Sequence, residues 1–168
     1  MSPVQKARSR DLSRSRIRMR LMLSRQKIDR SWRCRTLSAS DTDSLASLML
    51  AAYRDTIDYD GETLDDALFQ MRSLFQGKFG PFQDLSSFGI EEDGRLLSVI
   101  IITMWESRPL VAFSMTRPES KNLGMATFLL KSSINALLTF GHKELVLVVT
   151  AGNESAEHIY QKLGFKPE

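Results

Sequence analysis

The chain has 168 residues, 42% hydrophobic and 26% charged, with a formal net charge of +3, which suits one globular domain with a sizeable core and argues against a disordered or fibrous protein. Cys34 is the only cysteine, which excludes an internal disulfide and a thiolate metal cluster and fits a reducing, cytoplasmic compartment. The apolar runs fall far short of the roughly 18 residues that span a bilayer, and the basic N-terminus lacks the unbroken apolar stretch of a secretory signal, so no membrane partner is expected.

The charge is divided along the chain. Residues 1–35 carry twelve Lys/Arg against Asp11 and Asp29, a net +10, while residues 36–168 carry 11 against 18 acids, a net −7. Arg14, Arg16, Arg18 and Arg20 alternate with Ser15, Ile17 and Met19. Self-repulsion and small apolar area make residues 1–31 a basic extension that is disordered in isolation. Three readings of it stand open: an arm for nucleic acid or another polyanion, an organellar transit segment, or a solvated extension that precedes a later start at Met19 or Met22.

The globular domain is expected over residues 32–168. Trp32–Leu37 reads as a first strand, with Cys34 a small packed residue. Ser40 or Asp41 caps a helix whose Leu45, Leu48, Met49, Ala52 and Tyr53 follow the i, i+3, i+4, i+7, i+8 spacing of one apolar face. An acidic loop follows, with Asp55, Asp58, Asp60 and Glu62. A second amphipathic helix carries Leu64, Ala67, Leu68, Met71, Leu74 and Phe75 and is stopped by Gly77, Gly80 and Pro81. Asp93-Gly94 between Ser87–Glu92 and Arg95–Thr103 signals a hairpin, and the apolar run Val99–Ile102 marks a central strand. Leu110–Thr116 is a strand, Asn122–Phe140 a long helix ended by Gly141, Leu145–Val149 a strand, and Asn153–Gly164 a last helix. The order β-α-α-β-β-β-α-β-α, with a β-α-β crossover in its second half, predicts a mixed α/β fold.

The strand-to-helix junction at Lys121-Asn122-Leu123-Gly124-Met125-Ala126 suits an anion. Free amides of a first helical turn and the positive end of the helix dipole favour phosphate, and Gly124 lets it approach the backbone. Lys121, Gly124 and Ala126 at that junction, with Asn153, Ala156, Tyr160, Gly164 and Phe165 downstream, resemble the GNAT acetyltransferase superfamily. The resemblance covers residues 32–168 by element order and about 110–168 by motif. It implies a central mixed sheet of about six strands flanked by four helices. The family continues past Gly-Phe with one or two antiparallel strands. The outer edge of the Leu145–Val149 strand would then be open, to be covered by a partner subunit in a homodimer or by the N-terminal extension.

The resemblance further implies acetyl-CoA as co-substrate, no metal, and direct acyl transfer to an amine of a small molecule or peptide. Its diphosphate would lie on the amides of Leu123, Gly124, Met125, Ala126 and Thr127. Lys121 would add charge there or be an ordinary exposed lysine. The pantetheine arm would pair with the backbone of Met115 and Thr116, with Asn153 facing it. Tyr160 is the family-position proton donor to the leaving thiolate, or packs with Ile159 and Leu163. For the base, Glu106, a water-mediated path and an already neutral amine all stand. The acidic loop attracts a cationic amine or is a solvated face, and Trp105 lines the acceptor channel or packs on the sheet. A non-catalytic acyl-CoA-binding module and a nucleic-acid-binding protein are the competing functions.

Overall fold

The structure, a computed structural model, describes residues 15–168. A seven-stranded sheet forms its middle, in the order β2-β3-β4-β5-β6-β1-β7. The strands are β1 (Arg16–Met22), β2 (Arg35–Thr36), β3 (Phe88–Glu92), β4 (Arg95–Trp105), β5 (Arg108–Thr116), β6 (Glu144–Thr150) and β7 (Lys166–Pro167). Only β5 and β6 run parallel; the other neighbours are antiparallel. Helices α1 (Thr42–Tyr53) and α2 (Leu64–Phe75) precede the β3–β4 hairpin; α3 (Met125–Thr139) and α4 (Glu154–Lys162) flank β6 in sequence.

Two hydrophobic clusters lie on opposite faces of the sheet. One joins α1 and α2 to Leu96, Val99, Ile101, Phe113 and Met115; the other joins α3, Tyr160 and Phe165 to Ile100, Ile102, Leu145 and Leu147. Strand β4 is buried on both faces from Leu96 to Thr103, as its apolar run predicts for a central strand. The β3–β4 turn sits at Asp93-Gly94, both at positive φ (52° and 73°), which is the type I′ requirement.

The N-terminal segment is the main correction. Residues 16–22, expected within a disordered extension, form β1 and pair with β6 along its whole length, from Arg16↔Thr150 to Met22↔Glu144. The reason is a period of two: Met19 and Leu21 face the core at 2% and 7% exposure, while Arg16, Arg18 and Arg20 face out. Strand β1 therefore covers the β6 edge that the resemblance left open, and β7 adds two residues to its far side. The remaining expectations for the extension concern residues 1–14, which lie outside the described residues.

Two other boundaries differ. The expected strand Trp32–Leu37 is reduced to Arg35–Thr36, and the helix expected from Asn122 starts at Met125. Asn122 and Gly124 are left-handed, at φ 62° and 88°, so the chain turns before it can wind.

Candidate active site

The site begins with a defect in the sheet. Strands β5 and β6 pair only at Leu110↔Val146 and Val111↔Leu147, although both continue beyond. Next in β5 is Ala112, the extra residue of a β-bulge, since Ile101 opposes Phe113 while Ile102 opposes Val111. A bulge bends its strand and increases local twist. Past it β5 leaves β6, and a cavity of about 760 Å³ opens between Val111–Ser114 and Thr116 on one side and Leu147–Thr150 on the other. The edge of β5 that faces away from β4 has no strand partner there, so its backbone groups are open to a ligand.

One end of the cavity is the start of α3. Gly124 is the N-cap and provides no side-chain cap. The Phe128 N–H, bonded to Gly124 O at 3.0 Å, is the first with a helical acceptor; the amides of Met125, Ala126 and Thr127 precede it and have none within the helix. Lys121, Gly124, Met125, Ala126 and Thr127 line the cavity. Leu123 does not: its side chain is exposed and its carbonyl accepts from Arg30 Nη1 at 3.3 Å. At Gly124 a Cβ would meet the Trp32 ring at 3.3 Å, and its φ of 88° makes the left-handed turn that precedes α3.

Tyr160 lines the cavity at 9% exposure and packs edge-on against Phe165, with centroids 5.8 Å apart. Burial pushes its phenol above the ordinary value, and a hydrogen bond with the Ser114 side chain opposes that rise. The hydroxyl thus stays protonated at neutral pH while it lies across the splay from β5. Ser114 carried no signal in the sequence; it becomes a partner only because the fold sets β5 beside α4.

Asn153 also lines the cavity, but its side chain is shared between two protein partners. Its Oδ1 accepts the Ala156 N–H at 3.4 Å, capping α4, and its Nδ2 donates to Asp58 Oδ2 at 3.4 Å. Asp58 Oδ1 accepts from Thr150 Oγ1 at 2.7 Å, so this residue ties the α1–α2 loop to the end of β6. Asp58, Asp60 and Glu62 line the cavity, as does Arg16. Tyr53, beside them, is pushed up by burial and by the charge of Asp58.

Several expected residues are not brought to the site. Glu106 stands at φ 49° in the β4–β5 turn, at the opposite end of β5 from the α3 junction, and does not line the cavity; this removes it as the base. Trp105, beside it, is 46% exposed and does not line this cavity. The Thr116 side chain reaches the cavity and bonds Ser98 Oγ at 2.8 Å, whereas the Met115 side chain is buried against α1 and α2. Among the described residues no group of three His, Cys, Asp or Glu could hold a metal ion. No helix among them is long and apolar enough to cross a membrane.

A family model described as the acetyltransferase (GNAT) family matches residues 44–165. Among solved structures, the chain resembles a GCN5-related N-acetyltransferase from Sphaerobacter thermophilus at TM-score 0.69 and 16% identity, covering 92% of this chain and 49% of that one. It resembles the PaiA N-acetyltransferase of Thermoplasma acidophilum, solved in complex with coenzyme A, at TM-score 0.64 and 19% identity, covering 83% and 92%. It also resembles the ribosomal-protein-S18-alanine N-acetyltransferase of Escherichia coli at TM-score 0.61 and 17% identity, covering 79% and 76%. The chain spans between about half and three-fifths of the length of the first relatives of known structure, 61%, 49% and 48%. No curated protein matches it in sequence.

Proposed function

Because the chain belongs to the acetyltransferase (GNAT) family, we propose that it is an N-acyltransferase that moves an acetyl group from acetyl-CoA directly to a primary amine. The observation that carries this reading is the splay of β5 from β6 at the Ala112 bulge. It supplies an unpaired strand edge, a row of free α3 amides and a buried phenol along one cavity.

Each part has a physical task. The amides of Met125, Ala126 and Thr127, with the positive end of the α3 dipole, hold the diphosphate, and Lys121 adds charge at the cavity wall. The open edge of β5 up to Thr116 pairs with the amide groups of the pantetheine arm as an added strand would. The neutral amine forms a bond from its nitrogen to the acyl carbon, the carbon–sulfur bond breaks, and the sulfur leaves as thiolate. Tyr160, kept protonated by burial, gives that thiolate its proton and is reprotonated by the proton the nitrogen loses. The amine arrives as an ammonium at neutral pH and gives one proton to solvent before it attacks. Asp58 and Glu62 on the cavity wall attract such a cation, which favours small cationic amines or peptide amines as acceptors.

The deciding experiment follows thiol release from acetyl-CoA with a panel of amines. Release that depends on one class of amine supports the reading. Binding of acetyl-CoA without release under any amine would leave a non-catalytic acyl-CoA-binding module, and no binding would end the proposal.

A further inference from the structure

Strand β1 buries Met19 and Leu21 on the α3 side of the sheet, so Arg16, Arg18, Arg20 and Met22 stand on the opposite face. Helices α1 and α2 pack on that face over β4 and β5. Beyond them the part made by β6, β1 and β7 is open: Val148 is 44% and Met22 61% exposed. The register sets Arg18 beside Val148, and Arg20 between Val146 and Lys166.

This open strip carries an excess of cations. Its acids are Glu144 and Glu168. Glu168 is held by Arg108 at 2.6 Å, and Glu144 lies 3.7 Å from Arg20 and 4.0 Å from Arg108. Arg18, Arg20, Arg108 and Lys166 thus face two carboxylates. Among the described residues the exposed side chains of Arg18 and Lys166 form no hydrogen bond or ion pair. Residues 1–14 carry Lys6, Arg8, Arg10 and Arg14 against Asp11, so the preceding segment has the same sign and does not neutralise the strip.

The strip continues the wall of the active-site cavity. Arg16, Val148 and Thr150 line that cavity, and the pairs Arg16↔Thr150 and Arg18↔Val148 put Arg18 one same-face step along β1 and Arg20 the next. Such a step is about 6.6–6.8 Å, which is also the spacing of alternate side chains in an extended peptide. Carboxylates at alternate positions of a peptide laid along β1 therefore meet Arg18 and Arg20 in turn. None of the strip's side chains is aromatic, so it lacks the stacking platform on which single-stranded nucleic acid is held.

We propose that this strip docks the acidic segment of a peptide acceptor. The acceptor's amine enters the cavity beside Asp58 and Glu62, and carboxylates at alternate positions of the same chain lie on Arg18, Arg20 and Lys166. This rests on the acyl-transfer reading above and deepens it: the acceptor class is a peptide amine flanked by acidic residues, chosen by charge complementarity outside the cavity.

The test measures thiol release from acetyl-CoA by the full chain with two peptides and a small amine. Each peptide has a free N-terminus and one lysine; one carries glutamate and the other glutamine at alternate positions. Wild type should use the glutamate peptide with a KM about three- to tenfold lower, the scale of two or three exposed charge pairs, and the preference should shrink in about 1 M salt. An Arg18→Ala, Arg20→Ala double variant, which leaves the buried side of β1 untouched, should use both peptides alike. Arg18→Lys, Arg20→Lys should keep the preference. Equal KM values in wild type, a preference that survives in the alanine variant, or turnover of the small amine alone overturns the proposal and leaves acyl transfer standing. Binding of an RNA oligonucleotide through Arg18 and Arg20 without discrimination between the peptides overturns it too. No release with any amine ends both readings.

Discussion

At the scale of single residues, Tyr160 and Gly124 have the clearest consequences. The Tyr160 phenol is buried, pushed up and bonded to Ser114, so Tyr160→Phe removes a proton donor and leaves ring packing on Phe165 intact. Turnover should fall by roughly 10²–10⁴ with CoA affinity unchanged, as expected for loss of a general acid; wild-type turnover would take Tyr160 out of the reaction. Gly124 holds φ 88° with Trp32 at 3.3 Å from where a Cβ would be. Gly124→Ala should cost about 1–3 kcal/mol, the strain of a left-handed alanine, read as a lower urea midpoint. A midpoint equal to wild type would show that the turn relaxes freely. Both residues stand out in the sequence by motif, yet their partners do not. Ser114 and Trp32 are distant in the chain, and no local pattern couples them to positions 160 and 124.

At the scale of elements, β1 and the junction of β2 with α1 decide stability. Met19 is 2% exposed on a strand that completes the sheet. Met19→Ala should destabilise by about 2–5 kcal/mol in equilibrium unfolding, whereas a solvated arm would give no change. At the other junction Arg35 bonds Asp41 at 2.9 and 3.0 Å and Glu91 at 3.2 and 3.3 Å, fastening β2 to both the start of α1 and β3. Burial pushes the Asp41 carboxyl up, but the Arg35 bond, the Ser38 N–H and the attraction of Arg35 together hold it below the ordinary carboxylate range. A lowered value in the fold means stability that is present at neutral pH and lost as pH falls through that value. Asp41→Asn should therefore be less stable than wild type at pH 7, and the gap should narrow near pH 3. A gap independent of pH would show that the pair does not titrate with folding. The elements themselves were legible from periodicity because α1, α2 and β4 each bury a regular apolar pattern. The β1 alternation was equally regular, but its arginines masked it.

At the scale of the whole molecule, the sheet edges bear on assembly. The β6 edge that an exposed sheet would offer to a second copy is taken by β1, and the edge strands β2 and β7 are two residues each. With that edge filled by β1, a second copy is not expected to pair on β6; a dimer seen by light scattering and cross-linked through β6 would overturn this. The sequence by itself determined the order of elements, the hairpin at Asp93-Gly94, the glycine turn that opens α3 and the tyrosine on α4, because each depends on spacing within a few residues. Only the tertiary structure decided that β1 closes the sheet, that the Ala112 bulge parts β5 from β6, that Glu106 is remote, and that the segment between β1 and β2 reaches the start of α3. Those facts depend on register and on contacts between residues more than a hundred positions apart, such as Gln26 with Asn135 and Arg16 with Thr150, which local periodicity does not encode.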